Sequence, residues 1–318
     1  MLHRVCANIK LQALQHNLAV ARRYAGSGKL LAVIKANAYG HGLIPVAEAL
    51  AGADMYGVTD INEAERLRAA GTDKPILILQ GIIDRQDLMR IAAGGFQFVA
   101  HRVQDLQWLE EFFTTQPPAL PLTIWLKLQS GMGRLGIAAA DYPAIYKALQ
   151  AKPWCANVIA MTHLANASLP ESALNQQQLQ CFAQSCSALN YDSDTSIASS
   201  GGLLALDCAS TWSRPGIMLY GSSPFAWSDT ARRREAYGLQ AVMQLQARLI
   251  NISEHKAGAN IGYNSQFICP TAMRIGIVSC GYADGYPSNT PNGCPVEVKG
   301  QRTTTVGRLS MDMLAIDL

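Results

Sequence analysis

The chain has 318 residues, of which 49% are hydrophobic and 15% are charged, and its formal net charge at pH 7 is +3. This composition excludes a disordered or fibrous protein, and the length suffices for one large domain and a smaller one. The small net charge, without a long basic block, gives no indication of a nucleic-acid partner, and no apolar stretch approaches the ~18 residues of a membrane span.

Eight cysteines are scattered along the chain, and no two of them form a C-x-x-C pair. This pattern predicts free thiols in a reducing compartment, and it argues against a zinc site, so we expect no metal. The N-terminal residues lack the apolar core of a signal peptide. The sequence therefore predicts a cytoplasmic protein that does not bind membranes.

The apolar residues predict a helix over residues 8–25, followed by a regular alternation of short strands and helices. The predicted strands are 30–35, 55–59, 75–79, 96–100, 122–128, 158–163, 196–199 and 215–220. The helices between them are 43–50, 62–70, 86–93, 103–113, 142–149, 176–189 and 202–206. Eight such units predict a (β/α)8 barrel with a parallel sheet. An open doubly wound sheet is the competing architecture, although no G-x-G-x-x-G follows a strand.

After about Arg234 the long helical periods end. Strands are predicted over 241–250, 274–278, 296–299 and 303–306, with turns between them. We therefore expect a barrel over residues 1–234 and a C-terminal β-rich domain over residues 235–318. A strand that ends at Leu318 would leave a partner and an edge unaccounted for, so we expect this β domain to be incomplete.

Lys35 stands at the end of the first apolar run of the barrel, and Tyr39 and two glycines follow it. A lysine at the mouth of a buried strand loses hydration, which favours its neutral amine, and a neutral amine can attack a carbonyl to form a Schiff base. The simpler interpretation of Lys35 alone is a lysine that marks where the strand reaches water.

Reactive side chains recur at the ends of other predicted strands, where the active sites of such barrels lie. They are Lys127 with Arg134, His163, Ser199 with Ser200, and Arg214 ahead of Gly216 and Ile217. Such groups can hold an anionic ring cofactor, because hydroxyl and backbone N–H groups bind a phosphate and an arginine can face a pyridine nitrogen. Taken singly, each has a structural explanation: a core histidine, a helix start or a surface ion pair.

Two segments, Lys35-Ala-Asn-Ala-Tyr39-Gly-His-Gly and Lys127-Leu-Gln-Ser-Gly-Met-Gly-Arg134-Leu-Gly, resemble the motifs of alanine racemases, which are pyridoxal-phosphate enzymes of fold type III. The resemblance spans essentially the whole chain. It continues through residues 161–163, 214–221, 261–263, 281–285 and 306–312.

The resemblance implies an isomerase that interconverts L-alanine and D-alanine and supplies D-alanine for peptidoglycan. It also implies pyridoxal 5'-phosphate as the cofactor and a homodimer with shared active sites. Lys35 would carry the cofactor and act as the base on one face of the substrate carbon. Tyr263, supplied by the partner subunit, would be the base on the opposite face, because a single base returns the proton to the face it came from.

Five further positions match residues that hold the cofactor in this family. By that match, the phosphate would be held by Tyr39, Ser200, Gly216 and Ile217. Arg214 would face the pyridine nitrogen, and an arginine there cannot accept a proton. The resemblance thus implies a ring whose nitrogen stays unprotonated, which favours return of the proton to the substrate carbon over transamination.

The remaining matches concern the substrate and the supporting groups. Arg134 and the backbone of Met311 would face the substrate, and Tyr282 would line the entrance. His163, which would also contact the cofactor, and Arg134 would adjust the acidity of the catalytic tyrosine, since an ordinary tyrosine titrates near pH ~10. Lys127 matches a lysine that is often carbamylated, which would turn a cation into an anion.

Members of the family continue past the strand that follows Met311 and Asp312, and their tail includes a further tyrosine that contacts the phosphate. We therefore expect this chain to be C-terminally short and to bind the cofactor less tightly. Two other functions remain open from the sequence. One is a racemase of broader amino-acid specificity, and the other is a barrel that binds pyridoxal phosphate without catalysis.

Overall fold

The computed structural model of the chain describes residues 4–116, 118, 121–187, 193–208, 210–226 and 228–318. It contains two compact units. One comprises Lys10–Val242, and the other comprises Met243–Leu318 together with the segment that ends at Ile9. The N-terminal segment belongs to the second unit because strand β1 (Val5–Ile9) pairs antiparallel with β10 (Met243–Ala247).

Eight parallel strands close into a barrel in the larger unit, which confirms the predicted fold class. Strand β9 pairs with β2 and closes the sheet. Strands β3 and β4 are buried over their whole length, as expected for a parallel sheet that helices cover. In chain order the barrel strands are β2 (Lys29–Val33), β3 (Met55–Val58), β4 (Ile76–Ile78), β5 (Gln97–Ala100), β6 (Leu122–Lys127), β7 (Cys155–Met161), β8 (Thr195–Ser199) and β9 (Trp212–Arg214).

Helices alternate with these strands. They are α1 (Leu11–Ala25), α2 (Leu43–Ala49), α3 (Ile61–Ala69), α4 (Gln86–Gly94), α5 (Val103–Thr115), α6 (Tyr142–Gln150), α7 (Ala173–Cys186) and α8 (Ser200–Ala205). Short 3-10 helices cover Ile217–Tyr220, Thr230–Arg232 and Arg234–Tyr237. The last two residues of the helix predicted over 176–189 lie outside the described residues. Among the described helices, none has the length and apolar character needed to span a membrane.

The barrel is filled by alternate residues of its strands, which form one buried cluster. Its members are Leu31, Val33, Met55, Leu77, Val99, Trp125, Ile159, Met161 and Trp212. The rings of Trp125 and Trp212 meet edge to face, with their centroids 5.6 Å apart. The apolar pattern of the strands therefore builds a packed interior that supports the residues beyond the strand ends.

Several predicted elements differ from the structure. The first helix begins at Leu11, because Ile9 is held in strand β1. Strand β2 ends at Val33, so Lys35 lies two residues beyond the strand rather than in it. The predicted strand over 215–220 is wrong: strand β9 ends before Pro215, which has no N–H for a ladder, and a 3-10 helix follows.

The smaller unit is β-rich, as predicted, with an antiparallel five-stranded sheet of order β11-β14-β17-β16-β15. Its strands are β11 (Leu249–His255), β14 (Met273–Val278), β15 (Pro295–Val298), β16 (Gln301–Val306) and β17 (Leu314–Asp317). The strand predicted over 241–250 is divided between β10 and β11. A second pair joins β12 (Asn260–Ile261) to β13 (Phe267–Ile268), and 3-10 turns cover Tyr263–Ser265 and Tyr282–Asp284.

The last strand of the chain, β17, lies inside this sheet. Ile316 pairs with Gly276 on one side and with Thr305 on the other. Among the described residues, the unpaired edge that we expected at this strand is therefore not found.

Replacing Leu77 by alanine tests the packing of the barrel. Leu77 is fully buried in the interior cluster, so the truncation leaves a cavity and lowers the free energy of unfolding by about 2–5 kcal/mol. Urea titration followed by tryptophan fluorescence measures the loss. The matched control is Ile83→Ala, whose side chain is 61% exposed and whose effect stays within about 0.5 kcal/mol. Equal effects of the two variants would contradict the assigned interior.

Candidate active site

The segment Lys35–Tyr39, directly after β2, forms a left-handed turn. The four residues after Lys35 have φ values of 53–54° although none of them is glycine. This conformation costs an L-residue about 1–2 kcal/mol, so neighbouring groups must hold it. The Gly42 N–H donates to the Asn37 carbonyl at 3.0 Å, and the Leu43 N–H donates to the Asn37 side-chain oxygen at 3.0 Å. The turn thereby fixes where the side chains of Lys35 and Tyr39 leave the barrel.

His163, two residues beyond strand β7, lies among four cations. Burial lowers the pKa of His163 to about 3, and the cations act in the same direction; they are Arg214, Lys127, Arg134 and Lys35. The ring is therefore neutral near pH 7. Residues that the sequence placed on separate strand ends are thus brought together by the closed barrel.

Lys127 is the last residue of strand β6 and is only 7% exposed. Burial lowers its pKa to about 8, and the positive charges of Arg134, Arg214 and Lys35 lower it as well. An ammonium group in this place is destabilised by lost hydration and by like charges. The cluster is therefore suited to an anion.

Arg214, the last residue of strand β9, is buried and fixed by four hydrogen bonds. Its Nη1 donates to Ser196 Oγ, and its Nη2 donates to the carbonyl oxygens of Thr162 at 2.7 Å and Ile197 at 3.2 Å. Nη2 also contacts His163 Nδ1 at 3.3 Å. Because a guanidinium only donates, Nδ1 accepts, and the neutral ring carries its hydrogen on Nε2. Burial lowers the pKa of Arg214 to about 10, which leaves it charged near pH 7.

A corner of hydroxyl and backbone N–H groups lies beside strand β9. A Cβ at Gly216 would stand 2.6 Å from the Tyr39 hydroxyl oxygen, so a larger residue there would push this hydroxyl aside. Ser200 Oγ accepts the N–H groups of Gly216 at 3.0 Å and Met218 at 3.3 Å, which leaves its own proton to donate. Burial raises the pKa of Tyr39, so its hydroxyl also remains a donor. Ile217, which is half-buried, is the first residue of the 3-10 helix that follows Gly216.

Arg134 is exposed and lies on a loop that two glutamines order. Gln129 Oε1 accepts the N–H groups of Gly131 at 3.0 Å and Gly133 at 3.1 Å. Gln178, fully buried on helix α7, donates to Ser130 Oγ at 3.2 Å and to the His163 carbonyl at 3.1 Å. The loop is thereby tied to the segment that carries His163.

Three predicted site residues lie in the β-rich unit, and all are exposed. The exposed fraction is 66% for Tyr263, 47% for Tyr282 and 61% for Met311. The Tyr282 N–H donates to the Ser310 carbonyl at 3.2 Å, and the Ala283 N–H donates to the Met311 carbonyl at 2.8 Å. The loops of Tyr282 and Met311 therefore form one patch.

The sequence did not identify Glu63 or Gln178. The Glu63 carboxylate accepts two backbone N–H groups of the left-handed turn. The spacing Asp60-x-x-Glu63 is that of a capping box, which assigns Glu63 to the start of helix α3 instead. Gln178 is one polar residue in a helix and carries no local signal.

The fold and the site define a class of protein: a (β/α)8 barrel with a lysine-containing cationic site at the carboxyl ends of its strands and a second, β-rich unit. The family model described as "Alanine racemase, N-terminal domain" matches residues 9–224, and the model "Alanine racemase, C-terminal domain" matches residues 242–318. The chain belongs to the alanine racemase family, whose members are isomerases, and the resemblance stated from the motifs is confirmed.

Curated relatives and solved structures agree with this assignment. The alanine racemase of Yersinia pestis is 43% identical over 317 residues, and the catabolic alanine racemase of Pseudomonas putida is 44% identical over 314. Each match covers 98% of this chain and 85% of the relative. The biosynthetic alanine racemase from Pseudomonas aeruginosa superposes with a TM-score of 0.92 at 38% identity, covering 100% of this chain and 86% of that one. The alanine racemase from Bartonella henselae, which has covalently bound pyridoxal phosphate, superposes with a TM-score of 0.85 at 26% identity. This match covers 99% of this chain and 86% of that one.

The low pKa of His163 predicts how stability depends on pH. The unfolded ring binds a proton near pH ~6.5, whereas the folded ring does so only near pH 3. The unfolded state therefore binds more protons between these values, and stability falls as the pH drops from ~6.5 towards 3. Urea unfolding at a series of pH values measures this slope. The slope is shallower in His163→Asn, and an unchanged slope would contradict the neutral, desolvated ring.

Proposed function

We propose that this chain interconverts L-alanine and D-alanine with bound pyridoxal 5'-phosphate, as a homodimer whose subunits share their active sites. The observation that carries the proposal is the convergence of Lys35, Lys127, His163 and Arg214 at one end of a barrel of this family. The family assignment supports the reaction, and the solved relative from Bartonella henselae with covalently bound pyridoxal phosphate supports the cofactor.

The residues present fit this cofactor. Its phosphate is an anion, and the Tyr39 and Ser200 hydroxyls offer donors beside Gly216 and Ile217; a Cβ at Gly216 would displace the Tyr39 hydroxyl from this corner. Lys35 supplies the amine for attachment. When bound, the cofactor provides an electron sink for negative charge at the substrate carbon.

Arg214 is assigned to the pyridine nitrogen. Its four hydrogen bonds use Nη1 and Nη2, and the Nε–H group takes part in none of them. Since a guanidinium cannot accept a proton, Arg214 discourages protonation of a nitrogen that it faces. Less electron density is then withdrawn from the substrate carbon, which favours return of the proton there.

Two bases on opposite faces of the substrate carbon move the proton. Lys35 serves one face, and the partner subunit's Tyr263 serves the other. The 66% exposure of the Tyr263 side chain supports its contribution to another chain. His163, with its hydrogen on Nε2, and the positive charge of Arg134 stabilise a phenolate, which lets a tyrosine act as a base near pH 7.

The substrate carboxylate is assigned to Arg134 and to the backbone of the partner subunit's Met311. Tyr282, in the same patch as Met311, is assigned to the entrance. We place the enzyme in the cytoplasm, which its eight free thiols support, and we assign its D-alanine to peptidoglycan synthesis.

The decisive experiment incubates the purified protein and pyridoxal phosphate with L-alanine in deuterated water. Chiral chromatography and mass spectrometry then follow D-alanine and α-deuterium. We expect D-alanine that carries deuterium, at a ratio to L-alanine that approaches one. Absence of both products with a protein that binds the cofactor would leave a non-catalytic binding barrel.

The variant Tyr263→Phe separates the two bases. Loss of the hydroxyl removes proton transfer on one face only, so α-deuterium exchange slows by about 100- to 10,000-fold for one enantiomer and much less for the other. Exchange is measured separately with L-alanine and D-alanine by NMR. Tyr24→Phe, which removes a hydroxyl from another exposed tyrosine, is the control and keeps both rates. Equal losses for the two enantiomers would contradict the assignment.

Lys127 is proposed to be carbamylated. The lone pair of its neutral amine attacks carbon dioxide, an N–C bond forms, one C=O π bond breaks to give a carboxylate, and the nitrogen releases a proton to solvent. The pKa of about 8 makes the neutral amine accessible near pH 7. The product is an anion among cations, so it stabilises a cluster that the ammonium form destabilises.

The variant Lys127→Met tests this modification through stability. In buffer free of carbon dioxide at pH 7, the variant is more stable than the wild type, because it lacks the destabilised cation. The difference shrinks as the pH rises from about 8 towards ~10.4, where the unfolded lysine also loses its proton. In bicarbonate buffer the wild type becomes more stable than the variant, because its carbamylated lysine is an anion among cations. The exposed Lys147→Met responds to neither change, and a wild type that is insensitive to bicarbonate would refute carbamylation.

A further inference from the structure

We propose that Glu63 is a positioning residue that sets the spacing between the amine of Lys35 and the hydroxyl of Tyr39, by binding the backbone of the left-handed turn between them. The proposal rests on the proposed function, in which these two side chains hold the same cofactor.

The contacts are direct. Glu63 Oε1 accepts the N–H of Asn37 at 2.7 Å, and Oε2 accepts the N–H of Ala36 at 3.3 Å. These N–H groups are consecutive, and both residues have left-handed backbone angles, near φ 53° with ψ of 55° and 46°. Successive N–H groups in such a turn converge into a concavity that binds anions. Here the anion is a side chain of the same chain, 8% exposed.

The turn needs such a partner. A left-handed run is unfavourable for residues with a Cβ, and glycine is absent from its four members. Hydrogen bonds to a carboxylate are roughly twice as strong as those between neutral groups, so two of them oppose this strain well. The bonds of Asn37 to Gly42 and Leu43 hold the far side of the turn, and Glu63 holds the side next to Lys35.

Glu63 is not occupied with capping its own helix. The side chain of Asp60 caps helix α3 by accepting the Asn62 N–H at 2.9 Å. The carboxylate of Glu63 also lies in the first turn of the helix, where the positive end of the helix dipole stabilises a negative charge. It is therefore a fixed anion on a rigid element that faces the turn.

The turn decides the geometry of two separate contacts. Lys35 acts electrostatically on His163 and Lys127, whereas the Tyr39 hydroxyl stands against Gly216. Three residues lie between Lys35 and Tyr39, and right-handed backbone angles in them would carry Tyr39 away from Gly216. By holding the N–H groups of Ala36 and Asn37, Glu63 keeps the Lys35 amine and the Tyr39 hydroxyl at the spacing that one ligand requires.

The test compares Glu63→Gln with Glu65→Gln. Glu65 lies on the same helix, is exposed and pairs with Arg90 at 2.6 Å, so it controls for loss of a carboxylate on α3. A glutamine at 63 keeps one acceptor and turns its NH₂ group towards the second N–H. We expect E63Q to raise the Kd for pyridoxal phosphate about tenfold, in a fluorescence titration of the full chain. Hydrogen exchange of the peptide over residues 35–41 becomes faster in E63Q, and both quantities stay at wild-type values in E65Q.

The double variant Glu63→Gln with Ala36→Gly separates positioning from a general loss of structure, and it serves where E63Q alone folds poorly. Glycine adopts the left-handed angles without steric cost, so we expect the double variant to regain part of the cofactor affinity. Wild-type affinity and exchange in E63Q, or no regain in the double variant, would overturn the proposal. A wild type that binds the cofactor without racemising alanine would overturn the proposed function and leave this one standing.

Discussion

The closing of the sheet between strands β2 and β9 is the constraint on which the site depends. Lys29 and Leu30 pair with Trp212 and Ser213. The segment that carries Lys35 therefore leaves the barrel beside the strand that ends at Arg214, although Lys35 and Arg214 are 179 residues apart in the chain (214 − 35). Hydrogen bonds of a parallel ladder impose this neighbourhood, and the packed interior of the barrel keeps it rigid. The groups that meet there need no contact of their own to be held together.

Closure also concentrates positive charge. Burial and neighbouring cations lower the pKa values of both His163 and Lys127, which means that the cluster destabilises its own charged forms. An apoprotein with this site pays in stability for like charges at low hydration. An anion that binds in the cluster reduces this repulsion, so the same charges that lower the stability of the folded protein contribute to the affinity for an anionic ligand. The neutral state of His163 limits the repulsion, because a fifth cation is avoided.

The sequence predicted the barrel and the β-rich unit, because apolar runs and turn residues are local signals. It placed Lys35 in a strand and missed the left-handed turn, since Ala36, Ala38 and Tyr39 carry no local signal for positive φ and a single asparagine does not predict a run of four. One side of that turn is held by Glu63, which is 26 residues after Asn37 along the chain. The strand predicted over 215–220 failed because the apolar run hid the effect of Pro215. Local patterns thus locate the elements, and non-local hydrogen bonds set the conformation between them.

The residue types in the left-handed turn follow from its dependence on non-local hydrogen bonds. Glycines at positions 36–39 would adopt the left-handed angles without strain, but they would also give the unfolded segment more conformations to lose and fewer side chains to fix. Residues with a Cβ are strained at these angles, although they have fewer conformations than glycine in the unfolded segment. They therefore adopt the turn only when a partner such as Glu63 binds the backbone. Tyr39 must in addition bring a ring and a hydroxyl to Gly216, which glycine cannot do. A strained turn held by a distant carboxylate is therefore the arrangement that supplies both a rigid backbone and a functional side chain at this end of the barrel.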